Sequence, residues 1–176
     1  PASAGPGTSA SAARRNWLRW RERTAGEMWA GARRANAWLN RSSAMASATD
    51  FEKYEGMLVT MPQELSVTEH FQLGRFGQVV VSSGGRLRQP TNVVAPGAAA
   101  LALQAENNLN RLIVDDASQA QNPDPIVFGR GGNPLSATNT LRGGDTLTGA
   151  VGVMTYTWSG NAASGNAYRL RPTNAM

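Results

Sequence analysis

Residues 145–158 read DTLTGAVGVMTYTW, the longest β-prone run in the chain. Thr, Val and Tyr at this density favour an extended strand, in which successive side chains point to opposite faces. Leu147, Val151 and Val153 alternate with Thr146, Thr148, Ala150 and Gly152, the pattern of a strand with one face turned inward. Gly149 and Gly152 permit the coiling that a barrel strand needs. Beyond Val153 the opposite face continues as Met154, Tyr156 and Trp158, an aromatic run at period two. It has two readings. One is packing under another element; the other is a stacking surface for single-stranded nucleic acid, with Arg169 and Arg171 on the return strand YRLRP at 168–172.

Working outward, short β-prone runs separated by Gly, Pro and Asn fill the chain from residue 50 onward. GMLVTM (56–61) stops at Pro62, and ELSVTEH (64–70) resumes with Leu65, Val67 and Glu69 on one face. QVVVSS (78–83) ends at Gly84-Gly85, a hairpin-type signal. RLIVDD (111–116) precedes the long strand. Between them, GAAALALQAENN (97–108) behind Pro96 predicts one short helix. The expected fold is mainly β: a small OB-like barrel of five or six strands with one or two short helices, preceded by a poorly ordered or helical basic N-terminal segment.

Charge and composition divide the chain at about the same place. Of the net +5, residues 1–49 carry +6, from eight arginines against Glu22 and Glu27, and residues 50–176 carry −1, from nine basic and ten acidic residues. Trp17, Trp20, Trp29 and Trp38 also fall in the first part. The expected organisation is a basic Trp/Arg-rich tail over residues 1–49 and a β module over 50–176, joined by the Ser/Ala-rich stretch at 42–48. Three readings of the tail stand side by side: a basic aromatic helix for nucleic acid or an anionic membrane surface, a solvated tail, and sequence read out of frame from high-GC DNA. The last rests on arginine supplying 16 of the 17 basic residues. No apolar run is long enough for a transmembrane helix or a signal peptide.

The 176 residues include no cysteine and one histidine, His70, which removes thiol catalysis and Cys-ligated zinc and leaves no His-rich metal site. Asp115 and Asp116 are adjacent on a strand, so their side chains point apart and read as strand-end carboxylates rather than shared ion ligands. His70 lacks a nucleophile or metal beside it. Gly143-Gly144-Asp145 lacks the lysine and helix of a phosphate loop and reads as a tight turn. The remaining candidates are nucleic-acid contacts: Arg75 and Phe76 in a Gly-flanked loop, Arg86 and Arg88 past the second glycine turn, Tyr156 and Trp158, and Arg169 and Arg171. No catalytic or metal-binding residue is expected.

DFEKYEGMLVTMPQELSVTEHFQLGRFGQVVVSSGGRLRQPTN (50–92), NRLIVDDASQAQNPDPI (110–126), LRGGDTLTGAVGVMTYTW (141–158) and YRLRPT (168–173) together resemble the non-catalytic region of large secreted bacterial nucleases of the ExeM/NucH type. The resemblance spans about residues 49–173. It implies an OB-like accessory module that lies before an endonuclease/exonuclease/phosphatase catalytic domain, supports that domain and contacts DNA or RNA. It also implies a secreted or cell-surface setting. The sequence stops at Met176, where the relatives' linker and catalytic domain begin, so the resemblance implies the module and not the nuclease. Divalent metal would belong to that catalytic domain, and no cofactor is expected here. The alternative is a structural spacer without a ligand.

Overall fold

The computed structural model describes residues 34–36, 47–158 and 165–173. The Trp-rich tail, apart from its backbone at 34–36, and the loop at 159–164 lie outside them. Eight strands form one sheet: β1 (Arg34–Asn36), β2 (Leu58–Met61), β3 (Leu65–Glu69), β4 (Gln78–Ser83), β5 (Leu112–Asp115), β6 (Thr146–Leu147), β7 (Ala150–Thr157) and β8 (Ala167–Pro172). Their order across the sheet is β1-β2-β7-β8-β5-β4-β3-β6. A 3-10 helix at Ala48–Tyr54, capped by Ser47, leads into β2. A single helical turn (Leu73–Phe76) joins β3 to β4, and the helix Ala98–Leu109 lies between β4 and β5.

Chain connectivity forces this sheet to curl. Strands β2 and β3 stand five strand spacings apart in the order, which is about 24 Å in a flat sheet. Only four Cα steps separate Met61 from Leu65, a reach of about 14 Å. Pro62 interrupts the ladder, so β2 and β3 act as two halves of one bent strand, and the sheet closes round into a half-barrel. Taken that way, β3-β4-β5 is an antiparallel meander, β5 runs parallel to β8, β8 is antiparallel to β7, and β7 returns to β2. This is an OB-like order. Its helix falls between the second and third strands.

The inside of the curl is apolar. Val59, Met61, Leu65, Val67, Val79, Val81, Leu112, Val114, Met154 and Leu170 pack together, closed off by Phe51, Leu73 and Phe128. Burying side chains of this size stabilises by about 1.5–3 kcal/mol each, the main term holding so short a set of strands together.

Four local expectations change. Residues 34–36 form a strand paired in parallel with β2, where the sequence predicts a helix or a disordered tail. Gly84-Gly85 does not close a hairpin; β4 reaches β5 only through the segment holding the Ala98–Leu109 helix, because Asn110 binds the backbone of Ser83 with both ends of its amide. The long run at 145–158 is two strands, β6 and β7, separated at Thr148-Gly149. Ala150 and Met154 of β7 enter the core cluster and Leu147 packs against it from β6, while Val153, though buried, lies outside that cluster and Val151 is half-buried, so the expected single inward face of Leu147, Val151 and Val153 does not carry through the break at Thr148-Gly149. Among the described residues no helix is long and apolar enough to cross a membrane.

Candidate ligand-binding groove

Register fixes which side chains face outward on β4, β5 and β8. Val79, Val114 and Leu170 are cross-strand partners that enter the core, so the alternate set Val80, Ile113 and Arg169 shares the outer face. Two adjoining depressions lie on this face, of about 470 and 240 Å3, and both are lined by Val80, Arg111, Ile113 and Ala167. Tyr156, Tyr168 and Phe51 wall the first, and Phe71, Gln72 and Glu69 wall the second. In the OB-like order this is the face of the second and third strands. It lies between the turn joining strands one and two (70–77) and Asn166-Ala167 at the start of strand five.

The walls combine aromatic rings with one charged pair. Phe71 is 82% exposed, on a turn that offers it no cover. Tyr156 is 44% exposed and rests on Tyr168, ring centroids 4.7 Å apart, and Tyr168 in turn packs on Phe51 at 5.9 Å. The Tyr168 hydroxyl donates to the Glu52 carboxylate, which pushes its pKa up to about 12. Arg111 Nη2 donates to Glu69 Oε2 at 2.7 Å, half-exposed across the groove mouth.

A buried polar network stiffens the floor. Arg169 donates through Nη1 to Gln78 Oε1 and through Nε to the Thr157 carbonyl at 3.0 Å, and Nη1 lies 3.5 Å from Asp115 Oδ2. Arg171 adds a donor to Thr157 Oγ1 at 3.3 Å and places its Nε 3.9 Å from Asp115 Oδ1. Burial raises the Asp115 pKa, against the Ala117 amide and the two arginines that lower it. Next to it, burial pushes Asp116 up to about 7, opposed by a hydrogen bond from the Ser118 amide. Asp116 also sits under the 70–77 turn. Gly77 has φ +60°, and a Cβ there would lie 2.1 Å from Asp116 Oδ2, so only glycine lets the turn lie this close.

The sequence-predicted contacts are scattered by the fold. Tyr156 reaches the groove. Trp158, 45% exposed, follows the end of β7 and lines neither depression. Arg169 is only 2% exposed and committed to Asp115 and Gln78, so its charge serves the floor and not a ligand. Phe76 is 7% exposed and packs inward under the Arg75 guanidinium, 5.1 Å from its ring, which removes it as a stacking residue. Arg75 is exposed on the same turn, Arg171 is half-buried against Thr157 and Asp115, and Arg86 and Arg88 line a different cleft. Sequence reasoning missed Phe71, Arg111 and Tyr168. Phe71 carried a signal, as a large aromatic entering the turn between two strand runs; Arg111 and Tyr168 carried none. Asp115 and Asp116 each accept a hydrogen bond from the backbone two residues on, as strand-end carboxylates do. Among the described residues no three His, Cys, Asp or Glu side chains gather as metal ligands.

Residues 29–175 match the family described as Domain of unknown function (DUF8508). The chain belongs to the DUF8508 family. The family's extent takes in β1 and residues 29–49 together with the β module. No curated protein and no solved structure matches the chain.

Proposed function

We propose that this DUF8508 domain is a non-catalytic OB-like module that binds single-stranded nucleic acid in the groove over β4, β5 and β8. The observation that carries the reading is the position of the groove. OB-like barrels present oligonucleotide ligands on the face of strands two and three, and the groove lies on that face beside the 70–77 turn. Phe71 and Tyr156 supply exposed rings at its two ends, and base stacking on such rings is sequence-tolerant. Arg111, paired with Glu69, is an exposed cation lining both depressions, and Arg75 stands on the adjoining turn. With a module charge of −1, stacking rather than phosphate attraction is the larger part of the affinity.

The resemblance to the accessory region of ExeM/NucH-type secreted nucleases fits this role, with the module holding a strand for a neighbouring catalytic domain. Fluorescence anisotropy of a labelled single-stranded oligonucleotide against the 176-residue chain tests it. Phe71→Ala and Tyr156→Ala are each expected to weaken binding by about 1–3 kcal/mol, with a shallow salt slope of about 0.7 for each phosphate contacted. Absence of binding, or binding indifferent to both substitutions, leaves the domain as a structural spacer.

A further inference from the structure

A second cleft, of about 930 Å3, opens between the segment that follows β4 and the Ala98–Leu109 helix. Arg86 and Arg88 line it, together with Leu87, Val93, Leu103 and Asn107. No acidic side chain lines it, and among the described residues neither arginine has an ion-pair partner. Two arginines with no ion-pair partner among the described residues thus line one cleft in a module whose own charge is −1.

The backbone carrying them is pinned. Leu87 donates its amide to Thr68 Oγ1 at 3.1 Å, Ser82 Oγ donates to the Gly85 carbonyl at 2.8 Å, and buried Asn107 donates from Nδ2 to the Arg88 carbonyl at 3.1 Å. Arg86 is positioned as well, since its guanidinium lies against Gly143, where a Cβ would approach Cζ to 2.9 Å. These bonds fix the backbone from which the two arginines project. Guanidinium forks match the oxygens of a phosphate, and a pair of them favours a dianion over a single carboxylate. Val93 is more than half exposed beside them and, with Leu87 and Leu103, offers an apolar wall of the kind that takes the organic part of a small ligand.

We infer that this cleft is a binding site for a small phosphomonoester, with Arg86 and Arg88 on the phosphate and Leu87, Val93 and Leu103 against the organic portion. It is separate from the groove and does not depend on the nucleic-acid reading. Calorimetric titration of the 176-residue chain with adenosine 5′-monophosphate, inorganic phosphate and adenosine tests it. The monophosphate is expected to bind, inorganic phosphate to bind more weakly, and adenosine not to bind. Arg86→Gln and Arg88→Gln should each weaken monophosphate binding by about tenfold at unchanged melting temperature, whereas Arg130→Gln, an exposed arginine elsewhere, leaves it unchanged. Failure of the monophosphate to bind overturns the site, as does retention of full affinity in both cleft variants. Inorganic phosphate binding as tightly as the monophosphate overturns the role of the apolar wall. A loss in Tyr156→Ala equal to that in the arginine variants would move the ligand to the groove and overturn the inference.

Discussion

Asp116 and Arg169 show how a single side chain's environment sets its contribution. Desolvation holds the Asp116 carboxyl near 7 against 3.8 in an unfolded chain, so the folded protein binds the extra proton between those values. Stability then falls as pH rises from about 4 to about 7, and above that range the folded state carries the full cost of the buried charge. Asp116→Asn keeps an acceptor for the Ser118 amide and has no charge to bury. It is expected to stabilise the domain by about 1–3 kcal/mol at pH 8, with the gain shrinking towards pH 4, as urea denaturation at the two pH values would show. Arg169 has the opposite role. Removing it strands Asp115 in a dry environment, so Arg169→Ala should cost about 3–5 kcal/mol. The double variant Arg169→Met/Asp115→Asn should lose less than the sum of the two single losses, a difference read from a double-mutant cycle.

The 70–77 turn and the end of β7 are the elements on which the groove depends. The turn is tied down through the Arg75 carbonyl, which accepts from the Asn122 amide at 2.8 Å, and through Gly77 against Asp116. Gly77→Ala forces the turn off Asp116 and places a side chain at positive φ, which should destabilise by about 1–3 kcal/mol. The same change should weaken oligonucleotide binding, since Phe71 rides on this turn; unaltered affinity in a folded Gly77→Ala protein would separate the turn from the groove. At the other end, Trp158 is half-exposed, so Trp158→Ala should lose less than the 3–5 kcal/mol typical of a buried Trp, a difference visible in its melting curve.

At the scale of the whole molecule, the half-barrel exists because β2 and β3 are adjacent in the chain and far apart in the sheet. Curling hides Met61 and Leu65 on the same core and leaves β2 with an outer edge, which β1 covers through three register pairs. An uncovered edge offers unpaired amides and carbonyls to other chains. A chain beginning at residue 50 should therefore be less stable in urea than one beginning at residue 29, and more prone to associate on gel filtration. Equal stability of the two would mean that β1 contributes nothing to the sheet.

What the sequence determined by itself was local. VVV followed by SS marked β4 at Gln78–Ser83 to the residue, since β-branched side chains strongly prefer extended backbone, and the Ala/Leu run behind Pro96 and Gly97 marked the helix at Ala98–Leu109. Mainly β character and an OB-like barrel were likewise legible, from the number of short strand runs and the Gly-broken long run with its return strand, although the sheet has eight strands where five or six were expected. Tertiary structure alone decided the rest. Gly84-Gly85 carries a hairpin signal that depends on two residues, but Asn110, distant in sequence, takes the hydrogen bonds of Ser83 and sends the chain elsewhere. Arg169 alternates outward as an exposed residue would, yet Asp115 and Gln78 from other strands enclose it. The groove unites Phe71, Arg111, Tyr156 and Tyr168 from four separate parts of the chain. Side-chain period reports which way a residue points; what stands opposite it is set by long-range pairing, which leaves no trace in the neighbouring letters.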